Sequence, residues 1–369
     1  MDPAWLVLPG VTIWTIILLL PWRPWSTRES LDSISDTVTD LREIAVLIPA
    51  RNEEQYISHT LSSVAAQGNV GTIVLIDDES SDRTAALAGS LNLQNLLIIK
   101  GKPLPAAWTG KLWALEQGRL NSESEFILLL DADIKLEKGI LPTLLNKMKQ
   151  DNLKFISLMA FLRMESGWEK MLMPAFIYFF KLLYPFRISN SESKLVAAAA
   201  GGCILIDRQA LAEIGGFTAL KNELIDDCAL AKKIKQAGYR TWTGLTHSVV
   251  SQRCYDDLHT IWEMVSRTAF TQLKFSLLLL GLCTLLMFSA FTLPFAGLYT
   301  KPSIIFNLSI INFLLMMISY LPTLRYYGVN VLWAVTLPLT GFLYLLMTWD
   351  SAFNYWFGHG SSWKGRSYS

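Results

Sequence analysis

Two apolar runs that stop abruptly at carboxylates constrain this chain more than any other feature in it. Residues 72–76 run into Asp77-Asp78, and residues 126–130 run into Asp131-Ala132-Asp133. Continuous apolar runs of this length read as strands buried on both faces, the pattern of a parallel sheet covered by helices. Open sheets of that kind bind ligands beyond the carboxyl ends of their strands, so these aspartates stand where a nucleotide and a metal ion would meet them. A third pair, Asp226-Asp227, opens another helical pattern and can supply a base.

The rest of the central sequence agrees. Strand patterns at 44–48, 72–76, 96–99, 126–130 and 155–160 alternate with helical patterns at 54–67, 82–91, 111–119 and 138–149. That alternation predicts an α/β fold with a doubly wound, mostly parallel sheet. Its strand-to-helix turns lack G-x-G-x-x-G, which argues against a dinucleotide oxidoreductase.

The chain's 369 residues suffice for one such domain plus membrane segments. With 32 Lys+Arg against 31 Asp+Glu, bulk charge gives no reason to expect nucleic acid as a partner. Hydrophobic content is 51% and mean hydropathy +0.32, and the excess lies at the two ends. Residues 5–20 are uncharged, and Pro21-Trp22-Arg23 follows them where a cleavable signal would have small residues, so 1–22 is expected to be a retained transmembrane anchor. Residues 23–43 read as a linker in which Leu31, Ile34, Val38 and Leu41 fall at helical spacing. Residues 44–270 form the α/β domain. Within it, 171–186 is aromatic and apolar but interrupted by Lys181 and Pro185; it reads as a helix lying in the membrane interface or as a buried helix.

The segment 271–350 holds about three C-terminal transmembrane helices, at 275–298, 303–321 and 331–349, each near the ~20 residues a span needs. Their loops carry Lys301 and Arg325. The short tail 351–369 is basic. Its charge favours the cytosol, yet three spans after a cytosolic domain place it outside, and the sequence leaves that open. Cys203, Cys228, Cys254 and Cys283 include no C-x-x-C and read as reduced packing thiols.

Chemistry follows from residue type and spacing. Asp77 or Asp78 can accept hydrogen bonds from a nucleobase N–H or ribose hydroxyls. Asp131 and Asp133, at i and i+2 of an extended segment, point the same way, and their oxygens suit Mg2+ or Mn2+ bridging two phosphates. The Pro49-Ala50-Arg51-Asn52-Glu53 turn presents backbone N–H groups and Glu53 at the sheet edge. Lys111 opens a helix, where a cation opposes the macrodipole unless an anion such as a diphosphate is near. Adjacent carboxylates at Asp226 and Asp227 raise each other's proton affinity, which suits a base. Gly201 and Gly202 offer close approach to backbone without a Cβ.

Taken together, P-A-R-N-E-E at 49–54, I-D-D-E-S-S-D-R-T at 76–84, G-K-x-x-A-L at 110–115, D-A-D at 131–133, Gly201-Gly202, Arg208, Gly215-Gly216-Phe217 and Ile225-Asp226-Asp227 with Gly238-Tyr239-Arg240 resemble the family 2 glycosyltransferases. The resemblance runs from 44 to about 267. The apolar flanks and P-L-P-A-A-W-T-G-K at 103–111 are similar to the bacterial hopene-associated glycosyltransferases and, more distantly, to the ceramide glucosyltransferases.

That resemblance implies a GT-A fold and inverting transfer from a nucleotide sugar, usually a UDP-sugar, to a lipid acceptor that could be hopanoid-related. It implies a divalent metal, Mg2+ or Mn2+, on Asp131 and Asp133. The nucleotide sugar would be held by Pro49, Ala50, Arg51, Glu53, Asp77, Asp78, Lys111 and Asp131. Asp227 would be the base with Asp226 beside it, where relatives usually have Glu-Asp, and Gly201 and Gly202 would face the acceptor. Of the Q-x-x-R-W found in processive relatives only Arg267 is kept, which argues against polysaccharide synthesis and leaves that arginine to contact diphosphate. The expected location is the bacterial cytoplasmic membrane with the catalytic domain facing the cytosol. The alternatives are transfer to polyprenyl phosphate and a non-catalytic nucleotide-binding membrane protein.

Overall fold

The computed structural model describes residues 7–34, 39–221, 223, 225–300, 304–358, 361–363 and 366–368. Helix α1 (Leu8–Leu19) leads into an extended segment, and the α/β domain then begins at β1 (Thr39–Ala50). It continues through α2 (Ile57–Ala65), β2 (Gly68–Asp77), α3 (Thr84–Ser90), β3 (Leu96–Lys100), α4 (Gly110–Leu120), β4 (Phe126–Leu130), β5 (Ile134–Leu136), α5 (Ile140–Gln150) and β6 (Phe155–Phe161). After α6 (Gly167–Leu183) and the short α7 (Phe186–Ser189) come β7 (Cys203–Asp207), α8 (Arg208–Glu213), α9 (Asp226–Gln236), β8 (Thr241–Ser251), α10 (Leu258–Ser266) and α11 (Ala269–Gln272).

Eight strands form one sheet in the order β3-β2-β1-β4-β7-β6-β8-β5. The pairs β1–β2, β1–β4, β2–β3 and β6–β8 are parallel; β4–β7, β6–β7 and β5–β8 are antiparallel. Both faces are covered. Val46, Ile48, Leu75, Leu128 and Leu130 pack in one core, while Leu47, Val74, Ile76, Ile127 and Leu129 pack in the other. This is why β2 and β4 read as unbroken apolar runs rather than alternating ones.

Two features depart from the expected layout. The strand over 155–160 does not neighbour β4: the buried run Cys203–Asp207 is inserted between them, antiparallel to both. The linker forms no helix among its described residues. Instead Leu31 donates its N–H to the Leu245 carbonyl, and the chain enters β1 at Thr39; Val38 lies outside the described residues.

Three helical segments are long and apolar enough to cross a membrane: Leu277–Leu298, Ile304–Tyr326 and Val331–Trp356, of 22, 23 and 26 residues. The first comprises α12 (Leu277–Met287), a π-helical turn and α13 (Leu293–Leu298); the second is α14, and the third includes α15 (Leu337–Trp356). The N-terminal helix α1 is shorter than the expected anchor, with 12 residues described, about 18 Å of length against roughly 30 Å of hydrocarbon. It packs on the C-terminal helices: the Trp14 indole donates to the Ala290 carbonyl, and Gly10 closes against Asn312. Lys301 lies outside the described residues. In the tail, two short antiparallel strands, Ser361–Trp363 and Arg366–Tyr368, pair.

Of the two readings of 171–186, the structure shows a buried helix. Met171, Leu172, Met173, Ala175, Ile177 and Tyr178 are all buried. The Tyr178 hydroxyl meets Ser319 Oγ on α14 at 2.7 Å, and Tyr344 on α15 donates to the Leu172 carbonyl. Helix α6 therefore joins the sheet domain to the C-terminal helices. It starts with a capping box, Ser166 to the Glu169 N–H and Glu169 back to the Ser166 N–H.

Candidate active site

The sheet's winding reverses between β1 and β4, which lie side by side and parallel. The turns after these two strands carry Arg51 to Glu53 and Asp131 to Asp133, so the acidic and polar residues converge at the switch point. Thr109 caps α4 through the Leu112 N–H, which places Lys111 in the first turn. From there its ammonium reaches Asp131 Oδ1 at 2.6 Å. Burial alone would lower the pKa of Lys111, but Asp131 and Asp226 outweigh it and raise it.

Asp226 and Asp227 occupy the first turn of α9, after the cap residue Ile225, so neither is the helix cap. Each carboxylate accepts the next residue's N–H, Asp226 from Asp227 and Asp227 from Cys228. Burial and the neighbouring Asp226 push Asp227 up to about 7, against the opposing pull of the Cys228 N–H and Lys111. Burial likewise raises Asp131, with Lys111 opposing. A Cβ on Gly201 would lie 3.1 Å from Lys111 Nζ and 3.4 Å from Asp227 Oδ2. Lys111, Asp227 and Gly201 thus border one small space. Gly202 does not share it: its missing Cβ faces Ile134, and its carbonyl accepts the Asp131 N–H.

A second charged group lies along the same turn. Arg253, just past the end of β8, donates from Nε to Asp133 Oδ2 at 2.8 Å and from Nη2 to Glu53 at 2.9 and 3.2 Å. Glu53 is 7% exposed, so it is turned inward onto Arg253 rather than presented at the sheet edge. Nothing in the local sequence around Arg253 signals this role. The loop that carries it is fixed by Glu169, whose buried carboxylate accepts the Tyr255 N–H and stands 3.6 Å from Arg163.

At the end of β2, Asp77 pairs in register with Ala50 and Lys100, and its carboxylate accepts the Ser80 N–H. Pro49 lies opposite Ile76. Asp78 is 1% exposed, its N–H bonded to the Ala50 carbonyl, with Arg51 3.9 Å from its carboxylate. Just before α3, whose cap residue is Arg83, Asp82 accepts the Thr84 N–H. Arg267 ends α10, exposed and without an ion pair among the described residues, near Tyr255 of the Arg253 loop. Tyr184, which sequence reasoning missed, donates its phenol to Gln272; burial and the nearby Cys228 and Asp227 raise its pKa.

Comparison with known proteins fits this geometry. Residues 45–215 match the profile of Glycosyl transferase family 2. The chain carries a glycosyl transferase family 2 domain. The 4,4'-diaponeurosporenoate glycosyltransferases of Staphylococcus haemolyticus and Staphylococcus aureus are each 32% identical, over 95 and 107 residues. Those stretches are 26% and 29% of this chain and 25% and 28% of the relatives, so the chain spans about a quarter of the length of the curated relatives it matches. Among solved structures, a mannosyltransferase from Pyrobaculum calidifontis in complex with GDP-Man and Mn2+ superposes with a TM-score of 0.58 at 15% identity, over 96% of this chain and 99% of that one. That likeness extends the shared fold through the C-terminal helices.

The family 2 domain has a donor set that fits a divalent cation. Among the described residues no three His, Cys, Asp or Glu gather as a ready-made cage. Mg2+ and its like are usually held by one or two carboxylates together with substrate phosphates and water, and Asp131 and Asp133 on one turn supply that number. Asp131 is engaged by Lys111 and Asp133 by Arg253.

Proposed function

We propose that this protein is a membrane-bound inverting glycosyltransferase that moves a sugar from a nucleotide sugar, in our reading a UDP-sugar, to a hydroxyl group of a lipid. The observation that carries the reading is Asp227: a buried carboxyl group raised to about 7, beside Lys111 and the open backbone of Gly201. A base of that proton affinity is matched to neutral pH. It takes the acceptor hydroxyl's proton as the oxygen bonds to the anomeric carbon, while the bond from that carbon to the diphosphate breaks on the opposite face. Lys111 lies close enough to the same space to offset charge on the leaving diphosphate. A divalent cation held by Asp131 and Asp133 would supply further charge neutralisation there. Asp78 and Arg51, at the ends of β2 and β1, are assigned to the nucleoside.

The setting supports a lipid acceptor. The site opens from a domain joined through α6 to three helices of membrane-spanning length, so an amphiphile can approach from the bilayer side. Relatives named for diaponeurosporenoate, a carotenoid acid, are consistent with a long apolar acceptor. Nucleotide sugars are made in the cytosol, which places the domain on the cytosolic face of a bacterial membrane.

Membranes containing the protein, incubated with labelled UDP- and GDP-sugars and Mn2+, test this against three acceptor classes: hydroxylated lipids including hopanoids, carotenoid acids, and polyprenyl phosphate. Label in a hydroxylated lipid supports the proposal. Label only in polyprenyl phosphate moves the assignment to formation of an activated lipid-linked sugar. Nucleotide binding without transfer to any class moves it to a binding protein.

A further inference from the structure

The guanidinium of Arg253 stands where a cation is needed. It bridges Glu53 and Asp133, two carboxylates from turns 80 residues apart in sequence, with side-chain exposures of 8% and 13%. Three directed N–H contacts are made, at 2.8, 2.9 and 3.2 Å, from Nε and Nη2. Nη1 takes no partner among the described residues, and the arginine lines an open polar cleft with Asn52, Glu54 and Tyr56. Removing one partner from such a buried group leaves the remaining charges uncompensated, so something positive is required there.

A divalent cation at Asp131 and Asp133 would meet that requirement equally well, and it cannot share Asp133 Oδ2 with the guanidinium without a rearrangement. Resting on the nucleotide-sugar reading above, we infer that Arg253 is an exchangeable counter-ion. When no cation is bound it holds the Asp133 carboxylate in a fixed orientation through its Nε contact. When a divalent cation takes Asp133, the guanidinium is released toward the incoming diphosphate, which its fork can bind in bidentate fashion. Lys111 pairs with Asp131 and Arg253 with Glu53 and Asp133, while Asp226 and Asp227 add further negative charge beside Lys111, so the exchange is driven by attraction of the added ion. Metal and nucleotide binding are then coupled through one side chain, each strengthening the other.

The test uses the full chain in detergent. Mn2+ binding is read by electron paramagnetic resonance of the free ion without nucleotide, and UDP binding by calorimetry with and without Mn2+, GDP being run in parallel. Arg253→Gln should bind Mn2+ alone about tenfold more tightly, because its competitor is gone, while binding UDP in Mn2+ about tenfold more weakly. The mutual strengthening of Mn2+ and UDP should shrink by a similar factor. Arg253→Lys keeps the charge without the fork, and it should weaken UDP binding in Mn2+ while leaving the fold intact; if Arg253→Gln does not fold, this variant decides. Unchanged or weaker Mn2+ binding in Arg253→Gln, or wild-type coupling in Arg253→Lys, overturns the exchange. Wild-type protein that binds neither Mn2+ nor either nucleotide overturns the nucleotide-sugar reading itself, a distinct result.

Discussion

The two ends of the site balance charge in opposite ways. At one end a single ammonium, Lys111, faces Asp131, Asp226 and Asp227; it bonds one of them directly and only partly offsets the others. At the other end a guanidinium fork is matched donor by donor to Glu53 and Asp133. The first arrangement is buried and leaves a surplus of negative charge, and together these push Asp227 up to about 7. The second also leaves a net negative charge, one guanidinium for two carboxylates, but its directed contacts tie the carboxylates in place. In our proposal, proton transfer belongs to the lysine end and ion exchange to the arginine end.

Removing the proton acceptor is the most severe way to break this division. Asp227→Asn should lower transfer by about a thousandfold, within the usual range for a general base, with UDP binding little changed. Lys111→Ala comes next. It leaves Asp131, Asp226 and Asp227 without their shared cation, and a loss of roughly a hundredfold in kcat is expected, since an unpaired buried charge costs about 3–5 kcal/mol before relaxation.

The pH dependence sharpens the comparison without a mutation. Because the ionised form of Asp227 is the active one, the rate should climb as pH rises and level off above about 7, being about tenfold lower at pH 6 than at pH 8. Stability runs the other way. A carboxyl group whose pKa is raised by folding costs the folded state progressively more as pH rises from the ordinary carboxylate range to about 7. Asp227→Asn should therefore raise Tm at pH 8 by a few degrees and have little effect at pH 4, measured by differential scanning fluorimetry. Gly201→Ala gives the smallest effect: a methyl 3.1 Å from Lys111 Nζ and 3.4 Å from Asp227 Oδ2 can be accommodated by a small lysine shift, and a loss of a few-fold, about 1 kcal/mol, is expected. Gly202→Ala should instead appear as lost stability, because its missing Cβ faces Ile134.

The lysine end was legible in the sequence and the arginine end was not, for a physical reason. Asp77, Asp131 and their neighbours follow apolar runs that declare themselves as buried strands, so strand ends and carboxylates are read from the same few residues. Arg253 follows β8, a strand rich in Thr and Ser that carries no such signature, and its partners lie 120 and 200 residues away. For the same reason Glu53 was expected at the sheet edge when it is in fact turned inward. The strand Cys203–Asp207 was overlooked because four apolar residues after a glycine pair set no period, although its antiparallel insertion separates β4 from β6. The three C-terminal helices were plain from length and hydropathy. The burial of α6 beneath them was not, because Lys181 and Pro185 made it look like a surface helix, whereas Lys181 is 2% exposed.

In our proposal Asp227 removes a proton from a hydroxyl acceptor. Transfer of labelled sugar into extracted lipid, measured side by side for wild type and Asp227→Asn with UDP binding determined on the same preparations, tests it most directly. Loss of transfer with binding retained is the predicted result; transfer by Asp227→Asn at close to the wild-type rate would contradict it, since only an acceptor that is already an anion, a carboxylate or a phosphate, can attack without a base.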